Sequence, residues 1–200
     1  MNVKVLRASD RVATLWKNGG GVTYQVASEP AGASLSDFDW RVSIAQITSS
    51  GPFSVFPDVD RILIVLGGRL ALSVDGQVGA LATPRTAAQT FAGDVAAWAM
   101  PIGEPVEDLN LMYRRGRFQG EIKQLRAGRR HKLETGDDLI LAIVIGGFEC
   151  NFAKRTINLA HLDAIRLEAR ASAELTPRTP GSRAVTVRVR SLTPKSRSQA

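Results

Sequence analysis

Asn18-Gly19-Gly20-Gly21, inside WKNGGGVTYQV (16–26), is the kind of glycine cluster that can cradle a phosphate. Its spacing excludes the known phosphate loops. The nearest lysine, Lys17, precedes the glycines, and the position for a third dinucleotide-type glycine holds Tyr24. Val22, Tyr24 and Val26 then alternate with Thr23, Gln25 and Ala27, so the cluster is a turn feeding a strand. Glycines suit such a turn through positive φ or close backbone approach. Two readings stay open: a plain turn, or a pocket lip whose bare amides face a ligand. Metal chemistry finds little support. A transition-metal centre of this type needs about three histidines and a carboxylate. The chain has two histidines, His131 and His161, neither with a partner at metal spacing. The single Cys150 reads as a buried, inert thiol and excludes an intrachain disulfide. That leaves the arginines. Arg41 and Ser43 share one face of a strand, Arg61 opens the next strand, and Arg114 closes a later one. Guanidiniums so placed grip a carboxylate bidentately, or cap strand ends and pair with Asp39, Asp60 and Asp108. Trp16, Trp40 and Phe53 would wall such a pocket, or serve as plain core.

The elements carrying these residues read as strands. WRVSIAQI (40–47) alternates Trp40, Val42 and Ile44 against Arg41, Ser43 and Ala45. RILIVLGGRLALSVDG (61–76) predicts a strand, a Gly-Gly break, a second strand and an Asp-Gly turn. DLNLMYRR (108–115) places Asp108, Asn110, Met112 and Arg114 on one face. No segment before residue 160 has a useful helical period, so the class is all-β. ILIVLGG (62–68) recurs as LAIVIGG (141–147), offset by 79 residues, and FAGD (91–94) is loosely matched by LAHLD (159–163). Two features in one order point to two copies of a β-unit, the second shorter and degraded.

The unit resembles a cupin. Phe91-Ala92-Gly93-Asp94 is similar to the cupin Gly-Asp turn, and PIGEPVEDLN (101–110) to the loop after it, with one extra residue between Pro101 and Gly103. The position of the metal-binding histidine in that loop holds Val106, while the following asparagine is kept as Asn110. WKNGGGVT (16–23), DFDWRVSIAQI (37–47), GPFSVFPDVDR (51–61), FAGD (91–94) and DLNLMYRRG (108–116) together resemble the HutD/Ves family, well over residues 10–117 and faintly beyond. The resemblance implies a bicupin without the usual metal and, further, a non-catalytic role. HutD members are associated with bacterial histidine degradation as regulators or ligand sensors, Ves members with stress responses. It also implies that Asn110 points into the barrel, and with it Arg114.

The expected organisation is a first cupin unit at 1–118 and a shorter second unit at 119–170 completing one bicupin. A basic tail rich in Pro, Ser and Thr, mostly disordered, follows at 171–200. The net charge is +7; the tail supplies +5, leaving +2 for residues 1–170, which argues against nucleic acid as the main partner. Within the tail, AVTVRVRSL (184–192) alternates and would suit an edge strand. The longest nearly apolar run, Leu139 to Phe148, is ten residues, too short for a membrane helix. MNVKVLRASD lacks a signal core, so a cytoplasmic protein is expected. The function expected is a non-catalytic, cofactor-free barrel binding a small carboxylate through Trp16, Asn18, Trp40, Arg41, Ser43, Phe53, Arg61, Asn110 and Arg114. The alternatives are a metal-independent isomerase or lyase acting on a small acidic substrate, and an interaction module working through its outer surface or tail. A homodimer is left open.

Overall fold

Ile62 to Leu66 and Ile140 to Val144 are buried at every position, with no polar alternate. Such strands need apolar neighbours on both faces, and the architecture supplies them. The computed structural model describes residues 2–192 as nineteen strands and one short 3-10 turn at Ala8–Asp10. The strands are β1 (Val3–Leu6), β2 (Ala13–Leu15), β3 (Gly21–Glu29), β4 (Trp40–Ile47), β5 (Gly51–Pro52), β6 (Val59–Gly67), β7 (Leu70–Val74), β8 (Gln77–Val78), β9 (Gln89–Ala92), β10 (Ala97–Pro101) and β11 (Val106–Arg114). They continue with β12 (Phe118–Gln124), β13 (His131–Glu134), β14 (Leu139–Ile145), β15 (Phe148–Phe152), β16 (Arg155–Leu159), β17 (Ala164–Leu167), β18 (Ser172–Pro177) and β19 (Arg183–Ser191).

Four antiparallel sheets result, ordered β5-β10-β7-β8, β2-β3-β4-β11-β6-β9, β1-β17-β14-β19-β12 and β13-β18-β15-β16. They stack in that sequence. Leu63, Val65, Leu70, Leu72, Ala97 and Ala99 fill the space between the first two sheets. Trp40, Val42, Ile62, Ile64, Leu141, Ile143, Val185 and Val187 join the second sheet to the third. Ile140, Ala142, Phe148, Cys150, Ile165 and Leu175 join the third to the fourth. The two middle sheets are therefore covered on both sides, which is why β6 and β14 read as unbroken apolar runs.

The halves share a strand order. β4-β11-β6-β9 has its counterpart in β12-β19-β14-β17, and β5-β10-β7-β8 in β13-β18-β15-β16. The repeated Gly-Gly closes the same hairpin each time, β6 to β7 and β14 to β15. The match of FAGD to LAHLD does not hold. Phe91 lies on β9, whose counterpart β17 starts after Asp163, so the turn equivalent to Gly93-Asp94 falls at residues 168–171.

The expected boundaries need correction. Residues 171–192 are not a disordered tail. β19 lies inside the third sheet, paired with both β12 and β14, and β18 lies between β13 and β15. Val185, Val187 and Val189 are buried, while Arg188 and Arg190 on the alternate positions converge on Asp138 at 2.9 and 3.0 Å. The average polarity of the segment conceals this alternation. Residues 193–200 lie outside the described residues. The boundary at 118 also fails at the other end, because β1 pairs with β17 of the second half. Arg7 Nη1 donates to Asp163 Oδ2 at 2.7 Å, and the Ala8 amide to Oδ1 at 2.8 Å. Among the described residues no helix is long and apolar enough to cross a membrane.

Candidate functional site

The glycine cluster shapes one rim of a cavity. Gly19 adopts φ +71°, and the Gly20 amide donates to Asn18 Oδ1 at 3.0 Å. A Cβ on Gly21 would sit 2.6 Å from the Gln46 carbonyl and 3.1 Å from the Trp16 ring, so only glycine lets β3 pass there. Trp16 is then fixed by its indole N–H donating to Thr23 Oγ1 at 2.8 Å and by an edge-on contact with Phe53, 6.2 Å between centroids.

The cavity lies between the first two sheets, at the end not filled by core, and measures about 560 Å³. That is within the ordinary range for small-molecule sites, roughly 300–1,000 Å³. Strand register arranges its floor in rows. Val65, Asp108, Ala45 and Thr23 are cross-strand partners in the first row, Leu63, Asn110, Ser43 and Gln25 in the second, and Arg61, Met112 and Arg41 in the third. Apolar residues close the inner end and two guanidiniums stand at the outer end.

The polar groups on this floor are incompletely satisfied. Arg61 is 5% exposed, its guanidinium carbon stacks 4.7 Å from the Phe53 centroid and 5.1 Å from that of Phe91, and its Nε has no partner. Its one hydrogen bond is a long donation to the Ser54 carbonyl at 3.5 Å. Burial lowers its pKa to about 10, against the attraction of Asp108. Asp108 is 1% exposed and Asn110 is 7% exposed, and Oδ1 of each lacks a donor. Burial pushes the Asp108 carboxyl up to about 7, the Arg61 charge opposing the rise. Arg41 is better held, donating from Nε to Gln25 Oε1 at 2.9 Å and from Nη1 to Ser43 Oγ at 3.4 Å; burial still lowers its pKa. Buried polar atoms are nearly always paired in folded proteins, so three orphans on one cavity floor mark a place for outside partners.

Of the expected residues, Trp16, Asn18, Arg41, Phe53, Arg61 and Asn110 line the cavity. Three do not. Trp40 faces the other way, into the core between the second and third sheets, with the Arg166 guanidinium 5.4 Å above its ring. Ser43 shares the floor's face but stays beneath the Arg41 side chain as its acceptor. Arg114 is diverted to structure, donating to the carbonyls of Ser36 at 2.6 Å, Phe38 at 3.1 Å and Pro57 at 3.2 Å. The pairings with aspartate also resolve. Asp39 meets Arg117 and Asp60 meets Arg115, each at 2.8 Å, which leaves Asp108 as the carboxyl acting on Arg61. Asp108 and Met112 are cavity residues absent from the expected set, although their alternation with Asn110 was the available signal. Val106, at the cupin ligand position, is buried among Ile47 and Leu63. Among the described residues no group of three or more His, Cys, Asp or Glu side chains is placed to hold a metal ion.

The family model described as HutD matches residues 8–185. An uncharacterised 21.2 kDa protein in the hutC 3' region of Pseudomonas putida is 33% identical over 168 residues, 83% of this chain and 87% of the relative. The Protein Ves of Citrobacter koseri is 36% identical over 110 residues, covering 54% of this chain and 56% of that one. Among solved structures, HutD from Pseudomonas fluorescens superimposes with a TM-score of 0.79 at 27% identity, over 96% of this chain and 100% of that one. Oxalate decarboxylase from Bacillus subtilis is similar in fold alone, with a TM-score of 0.63 at 8% identity over 92% of this chain and 76% of that one.

Proposed function

The chain belongs to the HutD family, and from that premise we propose that it is a non-catalytic sensor or regulator of histidine degradation that holds a small carboxylate metabolite in its first barrel. The observation that carries the reading is Arg61, a buried guanidinium with a free Nε and no saturating partner, aimed at a cavity of ligand size. A carboxylate there accepts from Arg61, and from Arg41 if it displaces Gln25 or Ser43. Donor groups on the same molecule answer the orphan oxygens of Asp108 and Asn110. Trp16 and Phe53 cover its apolar part. The link to histidine degradation rests on the relatives, one of them named for its position beside hutC. The shared strand order of the halves supports a bicupin, with its ligand in one unit only. The site takes no metal or cofactor, and the protein works in the cytoplasm.

A thermal-shift screen against intermediates of histidine breakdown and small dicarboxylates tests this. A ligand at 100 times its Kd stabilises by about 2.7 kcal/mol, or roughly 5–10 °C for a chain of this size, and should be recovered unchanged. If no carboxylate shifts the melt, the reading fails.

One observation favours a second reading. Asp108, with its pKa near 7, is suited to general acid–base work, so a metal-independent isomerase or lyase acting on a small acidic substrate is the alternative. Turnover of a stabilising compound, lost in Asp108→Asn, would select it.

A further inference from the structure

Residues 171–192 carry Arg178, Arg183, Arg188 and Arg190 against Glu174, so +3 of the +5 expected in a tail sits on the folded surface. Part of it joins two further loops. The segments 83–86, 126–130 and 178–182 meet at one end of the molecule, and hydrogen bonds hold them together. Gln124 Nε2 donates to the Thr86 carbonyl at 2.8 Å, and Arg183 Nη1 to the Pro84 carbonyl at 3.3 Å. The Gly128 amide donates to the Ser182 carbonyl at 3.3 Å. Arg183 Nη2 also donates to the Leu66 carbonyl at 2.9 Å, which places the loops at the opposite end of β6 from Arg61. Arg85, Arg126, Arg129, Arg130 and Arg178 stand exposed on them. The stretches 76–93, 122–133 and 175–192, which carry the loops, hold no Asp or Glu. Among the described residues, Arg130 alone of the five pairs with an acid, Glu174 at 3.6 Å. Arginines elsewhere are commonly occupied, as Arg115 is by Asp60 and Asp94, and Arg114 by three carbonyls.

We propose that this ridge of arginines docks on the phosphate backbone of duplex DNA, without reading its sequence. Neighbouring cations of one sign with no internal partner suit an anion of high charge density. Duplex DNA carries one negative charge per roughly 1.7 Å of axis, and arginine forks match phosphate oxygens bidentately. An acidic protein fits less well. Protein interfaces are anchored by aromatic and apolar side chains, and no large apolar side chain is exposed on these loops. Protein–DNA interfaces are instead polar and positively charged. A single strand also fits less well, because the three loops hold no aromatic side chain on which a base could stack. Among the described residues no α-helix is present to enter a groove, so contact is with the backbone. The choice of DNA as the duplex rests on the regulatory role proposed above. The ridge itself stands apart from the cavity.

Fluorescence anisotropy of the full chain with a labelled DNA duplex of mixed sequence tests the proposal. At about 50 mM salt the parent should bind with a micromolar Kd, and log K should fall against log salt with a slope of about −4, as four or five phosphate contacts require. Arg126→Ser, Arg129→Ser and Arg178→Ser should each weaken binding and flatten that slope by about 1. Arg155→Ser removes the same charge from β16 of the fourth sheet and should leave the slope unchanged. All four arginines are exposed, so the variants should melt like the parent. Absence of binding at that salt overturns the proposal. So does an equal loss in Arg155→Ser, which would reduce the effect to net charge. Tighter binding of polyglutamate, of a single strand or of an RNA duplex overturns it too, by assigning the ridge to another partner. No cavity ligand is present in the assay, so each of these failures leaves the carboxylate site standing.

Discussion

Arg61 and Arg114 carry the same group to different ends, and their substitution separates binding from stability. Arg61 makes one long hydrogen bond from a desolvated site, whereas Arg114 ties down three carbonyls. Below about pH 7, where Asp108 keeps its proton, Arg61→Met should leave the melting temperature unchanged or raised, and weaken a carboxylate ligand about 10- to 100-fold through loss of a charge-assisted bond. Arg114→Met should do the reverse, costing about 2 kcal/mol, or roughly 4–8 °C, with affinity retained. Calorimetry of both variants decides; equal affinity in Arg61→Met and parent removes Arg61 from the site. Asp108 adds a pH signature. Folded, it keeps its proton up to about 7 against an ordinary 3.8. Between those values the folded chain binds more protons than the unfolded one, so this group's stabilising contribution declines as pH rises and is gone once pH passes the folded value. Asp108→Asn should therefore gain melting temperature relative to the parent from pH 5 to pH 8. A difference flat across that range would show that Asp108 is already ionised. Much of this site was legible, because period-2 alternation put Asn110 and Arg61 on definite faces. Trp40 was not: its strand lies in a sheet buried on both sides, and alternation alone does not tell a cavity wall from a core wall.

At the scale of the element, strands announced themselves wherever polar and apolar residues alternate or a Gly-Gly break separates apolar runs, as in β4, β6, β7 and β11. β18 and β19 stayed hidden because composition was averaged over 171–200. Their arginines look like those of a solvated tail, yet Arg183 donates to the Leu66 carbonyl at 2.9 Å, and Asp138 receives Arg188 and Arg190. Removing residues 171–200 takes a central strand from the third sheet and exposes apolar surface on both β12 and β14. The shortened protein should be insoluble or melt without a cooperative transition; a soluble product with a parental melting curve would show that these strands are dispensable.

Taken whole, the molecule is one β-unit used twice with different interiors. In the second half Phe148, Cys150, Phe152 and Leu175 fill the space between the sheets, whereas the first half keeps a cavity floored by Arg61, Asp108 and Asn110. The echo between ILIVLGG and LAIVIGG revealed the duplication because both segments are middle-sheet strands, where burial on two sides restricts residue choice. Surface loops carry no such restriction, so the ridge of exposed arginines left no trace in periodicity. The pairing of β1 with β17 has a consequence in time. Val3 meets Leu167 and Leu6 meets Ala164, so β1, once made, has no partner until β17 has followed it out of the ribosome. At roughly 5–20 residues per second that delay is of the order of 10–30 s, during which VKVL remains an unpaired strand while the first two sheets can already form behind it.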